Sequence, residues 1–217
     1  MLFECEHIFH MECVTRKLTT KWEGHIQLQH LDCPICKVPL KPLNEAPEDI
    51  TQAINKGARL TKMVKEKAVK AAEIEGLSID EALRKLAFFE CFRCKVPYYG
   101  GKRDCAQEMD REETKAEDLV CAYCREAGAG SGKSVCGKHG PLNIQYKCRY
   151  CCTVAIWYCY GTTHFCEPCH NHDGNEGPKP CLGTDGCPFK GCHAPNGEEF
   201  ALGCSMCSYD MEKLPEE

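Results

Sequence analysis

The sequence predicts a small α+β fold that is stabilised by zinc and has little hydrophobic core. The chain of 217 residues contains 21 cysteines but only 8 % aromatic residues, and its mean hydropathy is −0.43. Most of the cysteines form Cys-x-x-Cys pairs mixed with histidines, a spacing typical of zinc sites and too regular for a disulfide framework. Metal ligands are therefore expected to replace the large core that this composition does not supply.

Composition and charge argue against several classes of function. The N-terminal segment MLFECEHIFH carries His and Glu where a secretory signal needs a basic and then an apolar stretch. No run approaches the roughly 20 apolar residues of a membrane span. The net charge of −5 and the pI near 6.0 differ from those of a nucleic-acid binder, which is usually basic. We expect an intracellular protein, cytoplasmic or nuclear, whose cysteines stay reduced.

Residues 1–42 form the first predicted domain. Its candidate metal ligands are, in order, Cys5, His7, His10, Cys13, Cys33 and Cys36. Between them, Val14, Leu18 and Trp22 recur at helical spacing, which predicts a short helix over Met11 to Trp22. This pattern resembles the RING-H2 zinc finger of ubiquitin ligases.

The RING resemblance implies how the ligands of this domain share ions. In that family the second and fourth ligand pairs hold one ion, which here implies a complete site of Cys5, His7, Cys33 and Cys36. His10 and Cys13 are then half of a second site, whose other pair would lie before residue 1. We expect a truncated RING-H2 finger, and a degenerate finger with a single zinc ion is the alternative.

Residues 43–88 form a predicted helical linker without cysteine. A helix is expected over 48–75, weakened by Gly57 and ended by Gly76. Its apolar face is formed by Ile50, Ile54, Leu60, Val64 and Ala68. Ser78-Ile-Asp-Glu81 is a capping box that starts a second helix, whose inward residues are Ala82, Leu83 and Leu86. The predicted role of this segment is a spacer between two zinc-binding modules.

Residues 89–217 form a predicted multi-zinc domain. Its paired candidate ligands are Cys91/Cys94, Cys121/Cys124, Cys136/His139, Cys148/Cys151, Cys166/Cys169 and Cys204/Cys207. Four further ligands lie between pairs: Cys152, Cys181, Cys187 and His193. Sixteen ligands suffice for about four tetrahedral sites, and the spacing leaves open which pairs share an ion. Together with one or two ions in the first domain, these zinc ions are expected to be structural.

Three cysteines remain outside these ligand sets: Cys105, Cys159 and Cys192. Cys192 lies next to the candidate ligand His193 and is assigned no role. Cys105 follows two glycines and the basic residues Lys102 and Arg103, which would favour its thiolate. The spacing does not decide between a reactive cysteine in a mobile segment and an incidental exposed thiol.

Cys159 ends the apolar run Val154 to Tyr158 and precedes a predicted turn, Gly-Thr-Thr-His. It is either a small buried hydrophobe or a nucleophile at the end of a strand. His170 directly follows a ligand pair, so a bound metal would hold its backbone and make it a candidate base for Cys159. His164 and His172 are rival candidates on the sequence alone.

The run KCRYCCTVAIWYCYGTTHFCEPCH, with YYGGKRDC and GEEFALGCSMC, resembles the tandem-cysteine domain of the PHR family of RING-Cys-relay ubiquitin ligases. With the RING-type finger and the linker, the resemblance covers essentially the whole chain. It implies a ubiquitin transferase that takes ubiquitin from a charged conjugating enzyme onto Cys105 and relays it to Cys159. A hydroxyl of a protein substrate, preferably threonine or else serine, then forms an ester. The resemblance further implies that His170 is the general base and that Asp118 orients it.

Three positions depart from the family pattern. Asp118 stands where the family has Glu, Tyr160 where a Phe packs beside the second relay cysteine, and Asp173 where another Phe shapes the acceptor pocket. These changes bear on the threonine preference more than on thioester chemistry. Two other functions remain open: a non-catalytic multi-zinc interaction module, and a RING adaptor that promotes transfer to lysine.

Overall fold

The computed structural model describes residues 1–20, 22, 24–103, 115–128, 136–171 and 177–207. The α-helices are α1 (Met11–Thr19), α2 (Glu48–Glu75), α3 (Ile79–Lys85), α4 (Ala122–Gly128), α5 (Glu167–Asn171) and α6 (Gly183–Gly186). The 3-10 helices are η1 (Leu28–Leu31), η2 (Ala116–Asp118) and η3 (Pro141–Asn143). The strands are β1 (Leu86–Glu90), β2 (Pro97–Lys102), β3 (Ile144–Tyr146), β4 (Trp157–Cys159), β5 (Thr163–Phe165) and β6 (Ala201–Cys204). The predicted α+β fold with clustered cysteines is confirmed.

The chain divides into two compact units. The first comprises Met1–Glu90 and Val96–Tyr99, and the second comprises Cys91–Lys95 and Gly100–Glu217. The first unit therefore includes both the predicted RING-type finger and the predicted linker. The division into domains at residues 42 and 88 stays a prediction.

Helix α2 is a core element of the first unit rather than an isolated spacer. Its apolar face contributes Ile50 to a cluster with Phe3, Val14, Cys33 and Leu40. Further along, the same face joins a second cluster of Ile26, Leu60, Val64, Ala68, Ala71, Ala72, Ala82, Leu86 and Phe88. This second cluster contains no cysteine, so the first unit has an apolar core that does not depend on metal ligands. The predicted inward face of α2 is confirmed at four of its five positions by full burial, and the fifth, Ile54, is partly buried.

Gly57 permits the close approach of α2 to η1 and does not interrupt the helix. A Cβ atom at this position would lie 2.6 Å from Cδ2 of Leu31 and 2.7 Å from Nε2 of His30. The helix continues unbroken to Glu75 because the packing on both sides outweighs the low helix propensity of glycine.

The helix ends were mostly predictable. Gly76 has φ +65° and ends α2 as expected, and the capping box of Ser78 and Glu81 is confirmed at the start of α3. Helix α1 is shorter than predicted, because Thr20 is already extended and the helix stops at Thr19. Two consecutive β-branched residues at this point disfavour continuation.

The described strands form three two-stranded sheets, β1–β2, β3–β6 and β4–β5. β4 and β5 are antiparallel, with Trp157 opposite Phe165 and Cys159 opposite Thr163. Cys159 is the last residue of β4, as the sequence predicts. No helix among the described residues is long and apolar enough to cross a membrane.

We predict that Ser78→Ala lowers the free energy of unfolding by about 1 kcal/mol, because the first turn of α3 loses its side-chain acceptor. The Ser78 hydroxyl accepts a hydrogen bond from the backbone N–H of Glu81. Denaturant unfolding of the metal-loaded protein measures the change. Ser78→Asp keeps an acceptor and should stay within a few tenths of a kcal/mol of the parent protein. Equal losses in both variants would contradict the capping role.

Candidate active site and metal centres

Five groups of cysteine and histidine side chains converge in the described structure. Within each group the ligand atoms all lie within 4.8 Å of one another. The first group is Cys5, His7, Cys33 and Cys36, the set that the RING resemblance implies. The others are Cys91, Cys94, Cys121 and Cys124; Cys136, His139, Cys204 and Cys207; Cys148, Cys151, Cys166 and Cys169; and Cys152, Cys181, Cys187 and His193. Each group could hold a metal ion.

The donor sets fit zinc. Every group offers three or four thiols, with at most one imidazole, and four protein ligands close a tetrahedral site without an open position for water. His10 and Cys13 belong to none of the five groups within the described residues, and both are exposed. Their ligand role stays a prediction.

Backbone N–H groups directed at the thiols favour the thiolate form that a metal needs. The N–H groups of His139 and Lys138 lower the pKa of Cys136 to about 6. Burial raises the pKa of Cys187, but the N–H groups of Gly191 and Phe189 outweigh it, and the pKa falls to about 6. In the same two groups, hydrogen bonding with Cys136 raises the pKa of Cys207 and burial raises the pKa of Cys152, each to about 11, so each group has at least one thiol that ionises readily and one that does not.

The same turn recurs after two Cys-x-x-Cys pairs. Lys37 and Lys95 both have positive φ, +61° and +58°. Each donates its backbone N–H at 2.9 Å to the carbonyl of the first cysteine of its pair, Cys33 or Cys91. These two pairs are therefore followed by turns of the same backbone geometry.

A buried lysine lies between two of the thiol groups. Lys147 is 0 % exposed, and its Nζ donates to the carbonyl of Cys148 at 2.7 Å and to Oδ1 of Asn196 at 2.8 Å. Asn196 in turn donates from Nδ2 to Sγ of Cys152 at 3.5 Å. A buried ammonium needs hydrogen bonds and compensating charge. The two acceptors satisfy two of the three N–H donors of that side chain.

One ligand group encloses the hairpin that carries Cys159. Cys148 and Cys151 precede β4, whereas Cys166 and Cys169 follow β5, and all four converge. Cys159 is 1 % exposed and belongs to an apolar cluster with three of these ligands and Phe165. A bound ion would therefore close the loop at whose centre Cys159 lies.

The last residues of β2 lie directly against Cys159. The N–H of Gly161 donates to the carbonyl of Gly100 at 2.9 Å. Gly101 has φ +108°, and a Cβ there would overlap the carbonyl oxygen of Tyr158 and lie 3.2 Å from Cα of Cys159. Only glycine allows this approach. Cys105 follows Gly101 by four residues in the sequence.

His170 is held beside the hairpin through the ring of Trp157. The two rings are stacked, with centroids 4.5 Å apart and planes inclined by 17°. Nζ of Lys102 lies 4.4 Å from the centroid of the same indole ring. The indole N–H donates to Glu167 at 2.7 Å, and this bond, together with one from Asn171, lowers the pKa of the Glu167 carboxyl.

The structure describes only some of the other site residues that the sequence predicts. Asp118 is exposed on η2, and its carboxylate makes no hydrogen bond or ion pair with His170 in the described part of the chain. Tyr160 lies in the turn after Cys159 with φ +62°, and its ring meets Phe165 edge-on at 6.4 Å. Cys105, His172 and Asp173 lie outside the described residues, and their roles stay predictions.

The environment of His164 is typical of a structural residue and not of a general base. Its ring is stacked between Tyr146 and Tyr158, with centroid distances of 3.8 and 4.1 Å. Nδ1 contacts Oε2 of Glu199 at 2.5 Å. Burial lowers the pKa of His164 even though Glu199 opposes this effect. The imidazole is therefore enclosed and already bonded.

The sequence did not point to Glu199 and Arg125, whose side chains hydrogen-bond to the β4–β5 hairpin. Glu199 also accepts the backbone N–H of His164 at 3.1 Å and lies 3.6 Å from Nη1 of Arg125. Arg125 donates to the carbonyl of Thr162 at 3.5 Å and to that of Val120 at 3.3 Å. The only sequence signal was Glu199 in the run GEEFALGC, which carried the family resemblance without a role of its own.

Comparisons with known proteins show which proteins the chain resembles. The chain is 34 % identical over 94 % of its length to the E3 ubiquitin-protein ligase MYCBP2 of Danio rerio. It is 38 % identical, again over 94 %, to the E3 ubiquitin-protein ligase highwire of Drosophila melanogaster. The chain spans about 5 % and 4 % of the length of these curated relatives. No family model matches the chain.

We predict about five zinc ions per chain by elemental analysis, since five groups of four ligands are formed. A strong chelator should disrupt the hairpin cluster, which is built largely of ligands, but should preserve the helical core around α2, which contains no cysteine. Trp157 fluorescence in a Trp22→Phe background reports on the hairpin, and far-ultraviolet circular dichroism reports on the helix. Simultaneous loss of both signals would contradict this separation.

We predict that Gly101→Ala destabilises the second unit by at least about 1–3 kcal/mol, the cost of the backbone conformation alone. The overlap with Tyr158 adds to this cost. The melting temperature of the zinc-loaded protein measures the effect. Gly137→Ala is the matched control, because a Cβ there meets nothing within 4 Å and the backbone is ordinary. Equal melting temperatures for the two variants would show that β2 does not depend on this approach.

Proposed function

Because this chain belongs to the PHR family of E3 ubiquitin-protein ligases, we propose that it relays ubiquitin through Cys105 and Cys159 to a substrate hydroxyl. The observation that carries this proposal is the contact of Gly100 and Gly101 with the strand that ends in Cys159. The residues that shortly precede Cys105 in the sequence therefore lie against Cys159, the second cysteine of the relay. This proximity favours transfer within one chain over release of ubiquitin to solvent.

The proposed reaction consists of three acyl transfers. The Cys105 thiolate attacks the C-terminal carbonyl of ubiquitin in the thioester of a conjugating enzyme, and the thiolate of that enzyme leaves. The Cys159 thiolate then attacks the new thioester, and the Cys105 thiolate leaves. Because each exchange replaces one thioester by another, the relay needs positioning more than driving force. Finally a threonine or serine hydroxyl attacks, a base takes its proton, and the Cys159 thiolate leaves.

The hydroxyl step is where a base is needed. A hydroxyl is a weak nucleophile near neutral pH, and a positioned base typically accelerates such a step by about 10²–10⁴-fold. His170 is the proposed base because Trp157, on which its ring is stacked, lies on the strand that ends in Cys159. His164 is a poorer candidate, since both of its faces are covered and its Nδ1 is bonded to Glu199.

The metal ions have a structural part in this proposal. When bound, zinc would hold the five ligand groups closed and would keep the chain before and after the hairpin in register. The first group would hold the RING-type finger, with Ile8 and Ile35 exposed by 72 % and 61 % next to its ligands. These apolar side chains are a suitable surface for the charged conjugating enzyme. A reducing location, the cytoplasm or nucleus, is part of the proposal, because the thiols must stay reactive.

The burial of Cys159 supports a second candidate function. At 1 % exposure, its thiol must become accessible by local rearrangement before it can carry ubiquitin. A non-catalytic zinc module would need no such opening, and a buried thiol is then simply a small apolar residue. A RING adaptor that leaves transfer to lysine would likewise not use Cys159. Adduct formation on the cysteines separates these functions from a relay.

We predict that incubation with charged conjugating enzyme yields a reducible ubiquitin adduct on this chain. Cys159→Ser should leave the thioester on Cys105, whereas Cys105→Ser should prevent transfer from the conjugating enzyme to Cys159. Cys192→Ser is the matched control, because this thiol is exposed and outside the five groups. The product on a threonine peptide should be cleaved by hydroxylamine. Absence of any reducible adduct, or a product that resists hydroxylamine, would overturn the proposal.

A further inference from the structure

We propose that Asn171 orients the imidazole of His170, and that Glu167 and Trp157 hold Asn171 and the ring in place. The inference rests on the proposed function and identifies positioning residues for its final step. The four side chains form one connected cluster on α5 and β4. Nothing in the residue spacing or in the family resemblance pointed to Asn171, Glu167 or Trp157.

The cluster first restricts the plane of the His170 ring. One face lies on the indole of Trp157, at a centroid distance of 4.5 Å and an inclination of 17°. The ring of Phe165 approaches at 6.5 Å with planes inclined by 64°. Trp157 and Phe165 are opposite each other in the β4–β5 pairing. The hairpin therefore provides the surface against which the imidazole lies.

Glu167 connects the indole to the amide of Asn171. One carboxylate oxygen, Oε2, accepts the indole N–H at 2.7 Å. The other, Oε1, accepts from Nδ2 of Asn171 at 3.2 Å. A carboxylate accepts only, so both partners must present donors to it. This requirement determines which way the Asn171 amide faces.

The amide orientation in turn selects the tautomer of His170. Since Nδ2 of Asn171 faces Glu167, Oδ1 is the atom that faces Nδ1 of His170, at 3.4 Å. Oδ1 can only accept, so this contact is a hydrogen bond in the tautomer that has its proton on Nδ1. Nε2 then carries the lone pair that can take the proton of an attacking hydroxyl. This distance exceeds the roughly 2.7–3.2 Å of ordinary N–H···O hydrogen bonds, and hydrogen bonds of a catalytic base often tighten only when substrate is bound.

This arrangement assigns to Asn171 the orienting part that the resemblance gave to Asp118. Asp118 is exposed, and its backbone N–H closes the 3-10 turn by donating to the carbonyl of Lys115 at 3.0 Å. Asn171 is the residue next to His170 and is connected through Glu167 to the strand of Cys159. Substituting Asp118 and Asn171 separately therefore tests which of them orients His170.

The test uses single-turnover discharge of ubiquitin from Cys159 to an acetylated threonine peptide, with the full zinc-loaded chain. Asn171→Ala should lower the maximal discharge rate by about tenfold, less than the roughly 10²–10⁴-fold that a positioned base contributes, without changing the peptide concentration at half-maximal rate. Trp157→Phe keeps a stacking ring but removes the donor, and should give a smaller loss. Asp118→Ala should leave the rate within about twofold, because Asp118 does not contact His170.

A charge swap makes the test specific. Asn171→Asp alone sets two carboxylates against each other and should lower the discharge rate. Combined with Glu167→Gln, it restores every bond: the glutamine oxygen accepts from Trp157, its amide donates to the aspartate, and the aspartate accepts from His170. The double variant should recover at least half of the parent rate. Discharge unaffected by Asn171→Ala, or no recovery in the double variant, would overturn the inference.

Controls separate this inference from the proposed function. Loading of Cys159 with ubiquitin and zinc content should be unchanged in all variants, whereas absence of loading in the parent protein would overturn the relay itself. His170→Ala should abolish the accelerated discharge, and normal discharge in that variant would overturn both its role as base and the role of Asn171. Asn55→Ala and Glu66→Gln, exposed on α2, are matched substitutions that should match the parent rate.

Discussion

The geometry of the second unit depends on the convergence of ligand pairs that are far apart in sequence. Cys136 and His139 meet Cys204 and Cys207 across more than 60 residues. The strands in this unit are three or four residues long beyond β2, too short to bury much apolar surface. Loop closure of this kind is entropically costly in the absence of metal. Because metal binding supplies folding free energy directly, the ligand groups rather than the strands are expected to stabilise this unit.

One of these ligand groups surrounds the candidate site and positions its residues. Cys148, Cys151, Cys166 and Cys169 enclose the β4–β5 hairpin, so Cys159 lies between two ligand pairs and His170 directly follows Cys169. On the other side, Glu199 is bonded to His164 and lies beside Arg125, which reaches the turn after Cys159. Such buried polar networks rigidify a site when every member is satisfied. The thiol is thus held from two directions, which suits a transfer that requires positioning.

Local signals in the sequence were sufficient for much of the first unit. The apolar face of α2, the glycine at its end and the capping box of Ser78 act within a few residues and were read correctly. Gly57 was interpreted as a weak point of the helix, but it permits contact with Leu31 and His30. The role of Gly57 depends on the residues that pack against it, and local helix propensity carries no information about them. The same holds for Gly101 and its approach to Tyr158.

The sequence by itself identified the candidate ligand pairs and the cysteines that fall outside them, because Cys-x-x-Cys spacing is a local property of one turn. Only the tertiary structure decided which pairs share a group, since that depends on long loops closing through space. It also brought the Gly100–Gly101 segment against Cys159 and assembled Trp157, Glu167 and Asn171 around His170. These contacts depend on ring planes and amide orientation, which become defined only when strand and helix are packed together.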